Sequence, residues 1–192
     1  MFRYVILGLL RNGAVRHGYA LVKTYQERSG GDLRSGSIYR ELRRLADEGL
    51  IRGAMKSAGD DGRRLPYEIT DRGRLAFDEW FMKPSVAAGI SGEDDLSTRV
   101  LFLFEHEPSL AAAALERIRV TRSMWGQRLE RERRSAVRAG QERTVLLPLL
   151  TRRLKQAAAD LELIDELSAL LGDHASRGAS AAPVALAARR AG

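Results

Sequence analysis

No cysteine occurs in the 192 residues. That excludes a disulfide scaffold, a thiol nucleophile and any zinc or iron–sulfur site held by thiolates. Three histidines remain, His17, His106 and His174, in three different segments, so no His-based metal or base cluster can be read from spacing. Aromatic residues make up only 6% of the chain. The sequence lacks a G-x-x-x-x-G-K-[ST] phosphate loop, an H-E-x-x-H helix, a G-x-S-x-G elbow and an S-x-x-K pair, which leaves no motif for an enzyme. No metal and no cofactor are expected. Acidic pairs such as Asp94-Asp95 fall at expected helix starts, where the dipole favours them. Long apolar runs are missing too. Tyr4 to Leu10 is the longest near the start, far below the ~18 residues of a membrane span, and no A-x-A cleavage pattern follows it. A buried helix in a cytoplasmic protein is the expectation.

What the chain has in excess is positive charge: 32 Lys and Arg against 25 Asp and Glu, net +7. Residues 1–90 hold 16 basic and 11 acidic side chains, and residues 91–192 hold 16 and 14, so the excess is +5 and +2. A basic balance suits a polyanion, with nucleic acid ahead of an acidic membrane.

Composition divides the chain between about residues 84 and 95, around Lys83-Pro84-Ser85 and Ser91-Gly92-Glu93-Asp94. Upstream, Phe2–Leu10 reads as a central helix stopped by Arg11-Asn12-Gly13, and Gly18 to Arg28 as a second. Ser35 is placed to cap a third, which ends before Gly49. Leu50 to Lys56 reads as a strand, the segment around Gly59-Asp60-Asp61-Gly62 as a hairpin loop, and Leu65, Tyr67 and Ile69 as one face of a returning strand. Pro66 demands an edge position in that strand. Thr70 then caps a helix over Asp71–Met82. This order is that of a winged helix-turn-helix occupying residues 1–84.

The second half, residues 91–173, reads as helices only: Ser91 through Phe104, Pro108 to about Ala139, and Val145 to a stop at Gly172. In the last, Leu150, Leu154, Ala157, Leu161, Ile164 and Leu171 follow steps of four and three, with Ser168 between the last two. A helix–helix seam, used for dimerisation, is the expected role. Residues 174–192 carry no periodicity and are expected to form a disordered tail. The fold class expected is mainly α with a small β-hairpin wing, the winged domain being followed by an α-helical dimerisation domain.

Around the third helix, Ile38, Leu42, Leu45 and Ala46 share a core stripe, and Gly36, Ser37, Tyr39, Arg40, Arg43, Arg44 and Asp47 lie opposite. Small residues at the helix start let it approach a phosphate backbone, its free amides suit phosphate, and arginine reads guanine bidentately. The competing reading is a solvated face with Arg40, Arg43 and Arg44 paired to Glu41, Asp47 and Glu48. Lys56, Arg63 and Arg64 would carry charge on the hairpin stem, against phosphates or in a minor groove.

These residues resemble the PadR-like transcriptional regulators. The resemblance runs through Tyr4-Val5-Ile6-Leu7-Gly8-Leu9-Leu10, His17-Gly18-Tyr19-Ala20-Leu21, Ser35 to Leu45, Glu48-Gly49-Leu50-Ile51 and Arg63 to Gly73, then to Trp80. It covers about residues 2–82, and the helical remainder looks like the C-terminal region of the longer subfamily. Pro66 departs from the basic or polar residue common there. The resemblance implies a homodimeric repressor or activator, with Ser35, Ser37 and Tyr39 at the DNA-contacting start of the recognition helix and Lys56, Arg63 and Arg64 on the wing stem. Double-stranded DNA with a palindromic operator is the implied partner, read by two helices about 34 Å apart. It also implies release by small aromatic or hydrophobic effectors, for which Trp80 and Trp125 are the candidate pocket residues; ordinary packing is the competing use of both. His17 reads as structural. A helical adaptor that does not read DNA is the alternative to a regulator.

Overall fold

A computed structural model describes residues 2–30, 35–54, 65–84 and 95–187; the side chains of 35–36, 95 and 178–187 are not described. The elements are α1 (Phe2–Leu10), β1 (Arg16–His17), α2 (Gly18–Ser29), α3 (Ser35–Asp47), β2 (Ile51–Gly53), β3 (Pro66–Ile69), α4 (Asp71–Met82), α5 (Asp95–Val100), α6 (Pro108–Arg138) and α7 (Leu146–Ala187). Short 3₁₀ turns cover Leu103–Glu105 and Gln141–Arg143. The fold is mainly α with a small antiparallel sheet, a winged helix-turn-helix followed by helices. The chain divides into one unit of Met1–Lys83 with Glu93–Phe102 and a second of Pro84–Gly92 with Leu103–Gly192.

In the first unit, α1 is apolar nearly all round because it is central: Val5, Ile6, Leu7, Leu9 and Leu10 are all buried. Leu21 of α2, Ile38, Leu42 and Leu45 of α3, and Phe77 and Phe81 of α4 complete the core. Gly49, at φ +69°, ends the α3 turn, with Leu50 N–H donating to Leu45 O at 2.9 Å, a left-handed stop that glycine adopts without Cβ strain. Thr70 caps α4 as its sequence predicts, accepting from Gly73 N–H at 3.1 Å.

Three expectations for this unit are corrected. First, the sheet has the order β1-β3-β2, so Pro66 stands in the central strand and not at an edge. It is tolerated as the first residue of β3, where its missing N–H breaks no ladder and its carbonyl accepts from Ala54 N–H at 2.9 Å. Second, Pro66 is buried beside Ile69 while Leu65 and Tyr67 are half-buried, so the strand does not simply alternate. Third, Asp95–Phe102 belongs with the winged helix instead of the helical half. Phe102 supplies the reason. Its ring lies on Gly8, where a Cβ would stand 2.4 Å from Cζ, and it meets Phe77 edge-on at 5.3 Å. Apolar burial, not sequence adjacency, decides the assignment.

The second unit is an antiparallel hairpin of α6 and α7. Gly126 faces Ala157, Arg122 pairs with Asp160 at 3.2 Å, and Arg119 pairs with Asp165. The seam expected for dimerisation is therefore occupied within the chain. Leu150 and Ala157 are buried with Trp125, Leu129 and Ala136, and Leu154 packs at the margin. Ile164 and Leu171 are also buried, Leu161 is half-buried, and Ser168 is exposed while Leu167 is buried in its place. A straight helix drifts ~20° per heptad, which moves the buried edge by one residue along α7. The 3₁₀ turn at Gln141–Arg143 brings α7 back onto α6, so this chain's own helix supplies the apolar partner.

The stop at Gly172 and the disordered tail from 174 are corrected as well: α7 continues through Gly172 to Ala187. One glycine costs a helix only about 1 kcal/mol, and the following residues are rich in alanine, the strongest helix former. Among the described residues, no helix is long and apolar enough to cross a membrane.

Candidate nucleic-acid interface

α3 is anchored by one stripe. Ile38, Leu42 and Leu45 are each at most 1% exposed. The opposite face leaves Ser37, Tyr39, Arg40, Arg43 and Arg44 in solvent. Tyr39 is seated by Gly18, the first residue of α2: a Cβ there would lie 2.8 Å from Tyr39 Cε1 and 3.2 Å from Leu42 Cδ1. Sequence reasoning missed this role. The small residue at the start of α2 was its only signal.

Charge pairing separates the three arginines. Arg44 Nε donates to Glu48 Oε1 at 3.0 Å, and Arg3 also binds the Glu48 carboxylate. The Arg3 hydrogen bond, with help from Arg44, holds Glu48 below the usual carboxylate range. The solvated-face reading thus applies to Arg44. Arg40 and Arg43 form no ion pair with a described residue and project two free guanidinium forks from one helix face. Ser35 begins α3, but its side chain is not described. Lys56, Arg63 and Arg64 lie outside the described residues, as do the hairpin loop and the Ser91 and Asp94 cap. At the wing base, β2 and β3 are linked by Arg52 Nε donating to Glu68 Oε1 at 2.6 Å.

The two tryptophans belong to separate clusters. Trp80 is half-buried in the first unit, stacked on Tyr4 with centroids 4.4 Å apart and planes 6° from parallel. Arg99, 1% exposed, lies 4.3 Å over the same indole. It donates to the carbonyls of Trp80 and, at 2.7 Å, of Phe81, satisfying the orphan C=O groups at the end of α4. Nothing in the sequence marks Arg99 as buried. Trp125 is 6% exposed in the hairpin core, beside Leu129, Leu150 and Ala157. His17 precedes α2 and pairs with Pro66 in the sheet, with Nδ1 buried and without a hydrogen-bond partner among the described residues.

Comparison with known proteins bears on this geometry. Residues 6–79 match the family model described as Transcriptional regulator PadR-like family. The Negative transcriptional regulator PadR of Bacillus subtilis (strain 168) is 32% identical over 85 residues, which take in 43% of this chain and 46% of that protein. The match thus spans under half the length of that relative. Among solved structures, Bacillus subtilis PadR in complex with operator DNA is 20% identical at a TM-score of 0.39, over 88% of this chain and 97% of that one. The same protein in complex with p-coumaric acid gives 20% and 0.37 over 88% and 98%. The PadR-like transcriptional regulator BC1756 of Bacillus cereus gives 22% and 0.37 over 90% and 98%. The matched segment runs from the core of α1 to the last turn of α4, the winged helix-turn-helix and its exposed α3 face: over residues 6–79 this chain is similar to the PadR-like family of transcriptional regulators.

Proposed function

We propose that this chain is a sequence-specific DNA-binding regulator that acts in the cytoplasm as a homodimeric repressor. The observation that carries the reading is the outward face of α3, where Arg40 and Arg43 stand without a carboxylate partner among the described residues while Ile38, Leu42 and Leu45 fix the helix below them. A rigid helix with free arginine forks beside a seated tyrosine suits a major groove. Repression is the sign carried by the B. subtilis relative, a negative regulator. Ser35, Ser37 and Tyr39 would meet the phosphates at the helix start. Lys56, Arg63 and Arg64 would meet them from the wing.

Arg43→Ala should weaken binding to a duplex selected from a random pool by ~1–3 kcal/mol if it reads a base. Loss of discrimination between selected and random duplex marks base reading, and uniform weakening marks a phosphate contact. Unchanged binding in both Arg40→Ala and Arg43→Ala would remove α3 as the reading helix.

Dimerisation then needs a surface other than the filled seam. Leu110, Val120 and Met124 are 39%, 50% and 56% exposed on α6, a patch that a second copy would cover. Val120→Glu with Met124→Glu should give a monomer by sedimentation. For the effector, Trp80 is the better candidate, because it is half-buried between Tyr4 and Arg99 while Trp125 is almost wholly buried by hairpin side chains. Quenching of Trp80 in a Trp125→Phe protein, on titration with small aromatic acids, tests it.

A further inference from the structure

The charge of the hairpin is unevenly spread. Residues 127–155, its closed end, hold nine Arg and Lys against three Glu, net +6. The rest of it, residues 103–126 and 156–177, holds four Arg against eight Asp and Glu, net −4. Two of the three closed-end glutamates are already engaged. Glu132 accepts from Arg128 at 2.9 Å, and Glu130 accepts from Arg133 at 2.9 and 3.0 Å and from Arg134 at 3.1 Å. Arg131, Arg138, Arg143, Arg152, Arg153 and Lys155 are all exposed, and none forms an ion pair with a described residue.

Arg131 and Arg138 are seven residues apart on α6, hence on one face, away from buried Leu129 and Ala136. Arg152 and Lys155 are neighbours on α7 and line an open concavity of about 590 Å³ together with Leu147, Pro148, Thr151 and one carboxylate, Glu142. Unneutralised cations within about 10 Å of one another repel, and a polyanion laid across them relieves that repulsion. Eight of the nine cations are arginine, whose planar fork suits phosphate oxygens. They are spread along α6, the turn after it and α7, which suits an extended backbone better than a small anion. The segment has no Trp or Tyr, the residues that anchor proteins at a lipid interface.

We propose that the closed end of the α6–α7 hairpin is a second, sequence-independent binding surface for the phosphate backbone of duplex nucleic acid. It rests on the reading of the chain as a DNA-binding regulator and adds to it a contact outside the winged helix.

The test uses the full chain and a random-sequence duplex over a salt series. Replacing Arg131, Arg138, Arg152 and Lys155 together by Gln should make the log–log salt slope shallower by roughly two to four, at about 0.9 for each phosphate that the variant no longer neutralises. Discrimination between selected and random duplex should stay unchanged. Arg40→Gln with Arg43→Gln should lose discrimination yet keep salt-sensitive binding, and adding the four hairpin changes should make the remaining salt slope shallower by the same roughly two to four, leaving what the wing cations supply. If the four changes leave the slope intact while the α3 pair removes all binding, the hairpin surface is overturned and the regulator reading stands. If the unaltered chain binds neither duplex, both fall. A four-residue variant that becomes monomeric in sedimentation, or that loses binding to phosphatidylglycerol vesicles while its DNA slope is unchanged, also overturns the proposal.

Discussion

Each unit of this protein buries one arginine against one tryptophan, and the two solve the same electrostatic problem differently. In the winged-helix unit, Arg99 lies 4.3 Å over Trp80 and spends its donors on the backbone carbonyls that end α4. In the hairpin, Arg122 lies 5.8 Å over Trp125 and finds the Asp160 carboxylate at 3.2 Å, with Gln156 Nε2 donating to the same side chain at 2.9 Å. Orphan carbonyls at a helix end are dipoles that need a donor in any case, so the first arrangement desolvates only one full charge. The second desolvates two and holds only while both are present. The hairpin pair lies beside an apolar seam that would by itself tolerate sliding, and together with Arg119–Asp165 it fixes the register of α6 on α7. The winged-helix arginine ties α5 to the end of α4.

The largest effect is expected where that pairing is broken. Asp160→Ala leaves Arg122 buried and unpaired and should destabilise the hairpin by about 4 kcal/mol in denaturant unfolding followed at Trp125. The comparison sharpens if Arg122→Met with Asp160→Leu restores most of that loss; a double variant as unstable as the single one would show that the pair adds net stability. Next comes Arg99→Met, which keeps the packing but strips the donors from the α4 carbonyls. It should cost about 2 kcal/mol, read at Trp80 in a Trp125→Phe protein, with hairpin unfolding unchanged. Equal loss in both units would erase the distinction.

The smallest effect is the response to acid. Glu130 sits among Arg133 and Arg134, whose hydrogen bonds bring it down from 4.5 to about 2. Its pKa is lowered on folding, so its stabilisation is complete above pH 4.5 and fades as pH falls toward 2. Glu48 and Glu79 in the winged-helix unit are lowered by Arg3 and Lys83, so their contributions also fade with acid. Glu130→Gln should remove only the hairpin's share, a shallow change in the acid midpoint at Trp125 and none at Trp80.

Much of the candidate site was legible because it depends on local rules. The α3 stripe follows from residues at helical spacing, its end from Gly49, and the α4 cap from Thr70. The exposed arginines were legible too, but which of them are free was not. Arg44 and Glu48 stand at i,i+4 spacing, which offers their pair but not its choice over the pairs open to Arg40 and Arg43, and Glu48 also binds Arg3, 45 residues away, which no spacing predicts. Pro66 misled in the same way: two residues before α2, Arg16 and His17, form a strand too short to carry a pattern, and they turn an edge into a centre.

The sequence alone determined the order of the winged-helix helices and hairpin strands, the apolar stripe of α3 and the concentration of positive charge, since these depend on neighbours within a turn or two of chain. The tertiary structure decided which surfaces those stripes meet. A periodic seam states only that a partner is required, and α6 meets that need from within the chain because a short turn returns α7 onto it. Phe102 joins the winged helix on the same terms, as Gly8 leaves space for a ring there. Apolar attraction has no direction and no memory of sequence distance, so burial partners are settled by the shape of the folded chain.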